Sequence, residues 1–198
     1  LKTQLKLPAG YWQEWGGAFE NQQRAMAKLA VIVPLTIGLI FILLYTAFNS
    51  VRYATLIIAN VPFAAIGGIF SLFVSGQYLS VPAAVGFIAV FGVAMLNGIV
   101  LISFLNGLRE QGLSIRETVV QGAVLRLRPV LMTALVEILG LLPFLLATGV
   151  GSEVLRPLAT VVVGGLVSST ALTLFILPLV YEWMEQRRQS PTLEGASQ

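Results

Sequence analysis

Cysteine, histidine and aspartate are all missing from this 198-residue sequence, and charge of either sign is scarce. Without cysteine there is no disulfide framework and no thiol nucleophile. Without cysteine and histidine no zinc-finger spacing exists, and no metal-ligating set can be drawn from the residues present. No Ser/His, Cys/His or paired-carboxylate arrangement stands anywhere in the chain, so soluble enzymatic chemistry has no candidate residues. Hydrolysis within a membrane, of the rhomboid kind, fails on the same absence of histidine. Charged residues make up only 11% of the chain, where a soluble domain carries about a quarter.

What fills the space is apolar. Hydrophobic residues are 57% of the sequence and the mean hydropathy is +0.87. Five long apolar runs cover about residues 29–48, 54–74, 81–105, 129–147 and 157–181, and four of them hold no charged residue. A run of about 18 such residues suffices to cross hydrocarbon as a helix. Pro34, Pro62, Pro143 and Pro178 lie inside these runs, and neighbouring helices of a membrane bundle tolerate them by re-satisfying the freed carbonyls. The fold class that follows is an all-α membrane protein with five transmembrane helices. Membrane lipid is its first partner. The net charge of +3 points to no nucleic acid, because the basic residues flank the apolar runs and build no aromatic-interleaved patch.

Those basic residues set the orientation, since arginine-rich short loops stay cytoplasmic. One side holds Arg52, then Arg109, Arg116, Arg126 and Arg128, then Arg187 and Arg188, while the loops 75–80 and 148–156 hold only Arg156. Lys2, Lys6, Arg24 and Lys28 soften the contrast, but a long preceding domain translocates whatever its charge. The N-terminal tail is therefore expected outside and the C-terminus in the cytoplasm. The chain begins at Leu1 with no basic–apolar–small leader pattern, and reads as a piece of a longer polypeptide. Ser114 and Glu117 are spaced as a capping box, and Ile115, Val119, Ala123 and Leu127 recur at helical spacing. That pattern predicts a short interfacial helix over 114–127 on the cytoplasmic surface, against the plainer reading of a connector.

Polar residues inside the runs are few. Glu137 is the one ionisable group deep in a predicted span, with Thr133 on the same helical face. An acid at the bilayer centre costs about 3 kcal/mol on insertion scales and commonly marks an ion or proton path. A neutral glutamate hydrogen-bonded within the bundle is the equal alternative. Asn97 is the main polar group of the third run, where a buried amide most simply bridges helices. Arg128, just before Pro129, reads as an anchor at the membrane boundary. Gly86, Gly92, Gly164 and Gly165 are candidate helix-packing positions, since small residues let helices approach closely. The glycine-rich 149–153 lacks the lysine of a phosphate-binding loop and reads as a turn.

Several longer motifs occur in order: Leu7-Pro8-Ala9-Gly10-Tyr11, Trp15-Gly16-Gly17-Ala18-Phe19-Glu20-Asn21, Gly86-Phe87-Ile88-Ala89 and Gly92-Val93-Ala94-Met95-Leu96-Asn97-Gly98. They continue with Arg126-Leu127-Arg128-Pro129-Val130-Leu131-Met132-Thr133 and Gly151-Ser152-Glu153-Val154-Leu155-Arg156-Pro157-Leu158-Ala159. Together they make the chain resemble the C-terminal membrane half of a resistance–nodulation–division efflux pump, in the heavy-metal branch and most like the cobalt–zinc–cadmium type. The resemblance implies a secondary transporter rather than an enzyme. It would need no cofactor, would be driven by the proton motive force, and would export divalent metal cations from a Gram-negative inner membrane. It implies the remaining N-terminal half of the pump, a homotrimer, a periplasmic adaptor and an outer-membrane channel as partners. Residues 1–22 would end a periplasmic pore domain as a strand remnant, 23–188 would be the transmembrane domain, and 189–198 a disordered cytoplasmic tail.

Position by position, Asn97 matches the asparagine of the family's tenth helix, which faces an acidic relay helix of the other half. Leu96 stands where multidrug members have lysine, a departure that favours the metal branch. Arg128 and Thr133 match the arginine and threonine that open the eleventh helix and are implicated in proton coupling. Glu137 stands where close relatives are expected to carry a small or apolar residue, so the resemblance gives it no role. Asn97, Arg128, Thr133 and Glu137 are thus the proton-coupling candidates. Two alternatives remain: a truncated bundle without transport activity, and efflux of organic compounds by the same machinery.

Overall fold

The computed structural model describes residues 18–194, with side chains over 20–187, and every element in that range is helical. In chain order these are α1 (Ala18–Phe48), α2 (Val51–Ile58), α3 (Asn60–Val74), α4 (Val81–Glu110), α5 (Ile115–Leu145), α6 (Ser152–Ala171), a π turn (Leu172–Ile176) and α7 (Leu177–Glu194). They make five stretches long and apolar enough to cross a membrane: Glu20–Phe48, Val51–Val74, Val81–Glu110, Ile115–Leu145 and Ser152–Arg187. All five overlap the predicted runs and overshoot most of their ends. Hydropathy marks the part that suits hydrocarbon, whereas a helix continues for as long as its backbone bonds can be made.

Two spans are interrupted, and a proline explains each break. Pro62 has no N–H to offer Ile58, the residue four back that ends α2. Ala59 therefore serves as the last cap of α2 and the first cap of α3, with its own N–H bonded to Thr55 O at 2.9 Å. In the fifth span Pro178 deprives Leu174 of a donor in the same way. The chain answers by widening: the N–H of Leu177 reaches Leu172 O, five residues back, closing the π turn.

α6 lies at the centre and touches α3, α4 and α5. Its seam with α3 is built of small residues. A side chain on Gly67 would stand 2.5 Å from Gly164 O, and one on Gly164 would stand 2.7 Å from Gly67 O, so the two backbones meet directly. Hydroxyls stitch the same seam, with Ser71 Oγ donating to Thr160 O at 2.8 Å and Ser168 Oγ to Phe63 O at 3.0 Å. Gln77 closes its end by donating to Thr160 Oγ1 at 3.0 Å. Below that seam a second core joins α1, α2, α4 and α7 through Leu44, Ile57, Leu101, Ile102, Leu105, Leu177 and Tyr181. α1 is peripheral and its outer face is bare, with Leu35 73% exposed. So is Phe73 on α3, 81% exposed. Apolar area on that scale is incompatible with water around a soluble monomer.

Three expectations change. The helix expected over 114–127 exists, and its capping box is present, with Ser114 N donating to Glu117 Oε2 at 3.0 Å and Glu117 N to Ser114 Oγ at 3.3 Å. It is not separate from the fourth span: α5 runs unbroken through Pro129 for 31 residues. Nor is its apolar stripe wholly free, although Leu127 at its end is exposed. Ile115, Val119 and Gly122 are buried, and a side chain on Gly122 would run into Leu105 of α4. Packing on a neighbouring helix has taken the first half of the face that periodicity assigned to lipid. The strand remnant over 1–22 is the second case. Residues 1–17 lie outside the described residues, while 18–22 already belong to α1, favoured by helix formers and by the Glu20–Arg24 ion pair at i, i+4. The third is the tail: 189–194 continue α7, and only 195–198 lie outside the described residues.

Candidate functional site

In a bundle this apolar, the polar side chains that face inward are the candidates for function, and they fall into three groups. The first is the predicted set on α4 and α5. Glu137 is half-buried, and its Oε2 is shut from solvent with no hydrogen-bond partner among the described residues. Thr133 is exposed and spends its hydroxyl on Pro129 O at 2.9 Å, one turn back on its own helix. It does not reach Glu137, although the two share a face. Arg128 is exposed. The arginine that packs inward is Arg126, whose guanidinium sits 4.5 Å from the ring centre of Phe104 on α4. Asn97 is half-buried on α4. Among the described residues no hydrogen bond or ion pair joins any two of Asn97, Arg128, Thr133 and Glu137.

The second group surrounds Asn60, which opens α3 just after the Pro62-induced break. Asn60 is fully buried, and neither atom of its amide has a partner among the described residues. Its Nδ2 faces Gly98 so closely that a side chain there would stand 2.8 Å away. Gly98 thus makes room for the amide, one residue from Asn97. Thr170 and Thr173, around the π turn, are buried with unpartnered hydroxyls as well. An orphan buried amide costs on the order of 1–3 kcal/mol.

The third group is the best made, at the end of the bundle where α2, α4 and α7 meet. Tyr53 Oη donates to Glu185 Oε1 at 2.7 Å, and Tyr181 Oη donates to Asn106 Oδ1 at 2.9 Å. The two tyrosine rings stack with centres 5.8 Å apart and planes 17° from parallel. Glu185 is buried, and a cavity of about 320 Å³ reaches the cluster past Arg109 and Glu110. Sequence reasoning missed all four residues because they lie at the polar ends of their spans, 132 and 75 positions apart within each bonded pair. Asn60 it could have found, as an amide inside an apolar run two residues before a proline.

The helix-packing candidates divide. Gly86 stands 2.9 Å, as a side chain would measure it, from Leu158 O, and Gly165 stands 2.6 Å from a methyl of Val90. Gly164 lies on the α3–α6 seam. Gly92 is different, since a side chain there would meet nothing within 4 Å. Among the described residues no three His, Cys, Asp or Glu side chains gather as a metal site.

Comparison with known proteins gives this arrangement a family. Residues 1–185 match the AcrB/AcrD/AcrF family. The cobalt-zinc-cadmium resistance protein CzcA of Cupriavidus metallidurans is 54% identical over 181 residues, which cover 91% of this chain and 17% of that protein. The nickel and cobalt resistance protein CnrA of the same organism is 50% identical over 188 residues, covering 95% of this chain and 18% of its own length. A crystal structure of a heavy metal efflux pump superposes with a TM-score of 0.77 at 50% identity, over 93% of this chain and 18% of that one. The chain therefore spans less than a fifth of the length of these relatives. With residues 1–185 matched and half or more of the aligned positions identical to such relatives, the chain belongs to the AcrB/AcrD/AcrF family.

Proposed function

We propose that this chain supplies the last five spans of a proton-driven pump that exports divalent heavy-metal cations, of the cobalt, zinc and cadmium kind, across a Gram-negative envelope. The observation that carries this reading is the 54% identity to a cobalt-zinc-cadmium resistance protein over 91% of the chain. The pump would be a secondary transporter without a bound cofactor. Its protons would enter through acids of the N-terminal half, and it would work as a homotrimer with a periplasmic adaptor and an outer-membrane channel. Leu96, 58% exposed, stands beside Asn97 where the multidrug branch has lysine, and so favours metal over organic substrates.

The orientation follows the arginines: inner membrane, N-terminal tail in the periplasm, C-terminus in the cytoplasm. A helix of 31 residues is about 46 Å long, against about 30 Å of hydrocarbon. α5 accordingly projects its first turns beyond the lipid core at the cytoplasmic boundary, held against α4 by Ile115 and Val119. That placement puts Glu137 at membrane depth. Glu137 and Asn97 are half-buried and are proposed to take part in proton coupling, with Arg128 and Thr133 bordering the path.

The test uses the complete pump in everted membrane vesicles with an imposed proton gradient. Accumulation of zinc, cobalt or cadmium that collapses with the gradient is expected. Movement of organic compounds alone, or no movement of either, contradicts the reading, the latter in favour of an inert helix bundle.

A further inference from the structure

α2 and α7 leave between them an open groove of about 650 Å³, at the same end of the bundle as the Tyr53–Glu185 pair. Its walls are apolar along Leu56, Ala59, Val180 and Met184, and its mouth carries two guanidiniums, Arg52 from α2 and Arg187 from α7. Both arginines are exposed, and among the described residues neither is in an ion pair. Arg187 lies over the ring of Trp183, 4.0 Å from its centre, and that tryptophan is itself 53% exposed on the groove wall. Indole at such a level is typical of the membrane–water interface.

The backbone adds to the positive charge. The N-cap of α2, Ser50, makes no side-chain capping bond, and the first intrahelical bond is the one from Ala54 N to Ser50 O. The N–H groups of Val51, Arg52 and Tyr53 precede it and point out of the helix start, where an anion is favoured. The acids nearby are otherwise engaged. Glu185 accepts from Tyr53 and is absent from the groove, although it lines the adjoining cavity with Ser50, Val51 and Arg52, and Glu182 accepts from Gln186 at 3.0 Å.

A slot that is greasy along its length and doubly cationic at its rim, with open amides beside the cations, complements one chemistry. We infer that it holds an anionic phospholipid of the cytoplasmic leaflet. The phosphate lies between Arg52, Arg187 and the first turn of α2, and an acyl chain runs along Leu56, Ala59 and Val180. Basic pockets between spans on the cytoplasmic side are suited to anionic headgroups. The choice of leaflet rests on the orientation proposed above. Lipid retention is read without transport, so a pump that moves no metal yet keeps the lipid separates the two proposals.

The experiment takes the intact pump, exchanges it into mixed phosphatidylglycerol and phosphatidylethanolamine, and counts retained lipids by native mass spectrometry. Phosphatidylglycerol is expected to be kept in preference to phosphatidylethanolamine. The pair Arg52→Gln with Arg187→Gln should lower its retention about thirtyfold, the effect of two cations at a membrane surface. Ala59→Trp, which fills the groove and leaves both charges, should displace it too, while Arg116→Gln should not. Equal retention of the two lipids by the unaltered pump, or undiminished phosphatidylglycerol in the double variant or in Ala59→Trp, overturns the proposal. A crosslink from Ala59→Cys to another segment of the same polypeptide does so as well, since protein would then occupy the slot.

Discussion

Tyr53 and Glu185 lie 132 positions apart and meet through one hydrogen bond, Tyr53 Oη to Glu185 Oε1 at 2.7 Å, at the point where α2 crosses α7. Stacked on Tyr181, Tyr53 also joins α2 to the hydroxyl–amide bond that α7 makes with Asn106 of α4. A side-chain bond to a carboxyl group in this half-buried setting contributes about 1–2 kcal/mol. Unfolding of Tyr53→Phe, Glu185→Ala and the double variant in detergent should show the two losses to be non-additive by about 1 kcal/mol or more. Strict additivity would show that the contact carries no energy.

The glycines offer a contrast within one protein. Gly164 has its neighbour's backbone where a side chain would be, and Gly92 has open space. Gly164→Leu must push α3 from α6 and should cost at least about 3 kcal/mol, the upper range for overpacking. Gly92→Leu should stay within about 0.5 kcal/mol, as surface substitutions do. Thermal unfolding of both variants checks the pair, and equal losses would contradict the seam described here.

Glu137 keeps one oxygen buried and unpartnered among the described residues, on a helix proposed to border the proton path. Glutamine preserves its shape and removes its proton chemistry. In the intact pump, Glu137→Gln should leave the amount of protein in the membrane unchanged and reduce zinc, cobalt and cadmium resistance to that of cells without the pump. Resistance at the unaltered level returns Glu137 to a packing role.

Why some of this was legible in the sequence is a matter of range. Span number and the capping box of Ser114 and Glu117 depend on neighbours a few residues away, and both could be read directly. The division of the second span was foreshadowed by Pro62, and the π turn by Pro178, but which irregularity each proline would produce depends on what packs around it. Periodicity placed Ile115 and Val119 on one face correctly and gave that face the wrong neighbour, since it records that a stripe is apolar and not what covers it. The same blindness hid the Tyr53–Glu185 and Tyr181–Asn106 bonds. Among small residues, Gly92 and Gly164 look alike in sequence and differ only in whether another helix passes by.

This chain holds no cysteine, so in a pump whose other segments carry none, or have theirs replaced by serine, every introduced thiol is the sole one. Ser50, Tyr78, Gln111 and Val150 lie in the four successive turns between the spans, and Ser50 makes no capping bond that cysteine would forfeit. With the four single-cysteine pumps in intact cells, an impermeant maleimide should label Tyr78→Cys and Val150→Cys from the periplasm. Ser50→Cys and Gln111→Cys should react only once the cytoplasmic face is opened. Any two consecutive turns reporting the same side would contradict five crossings.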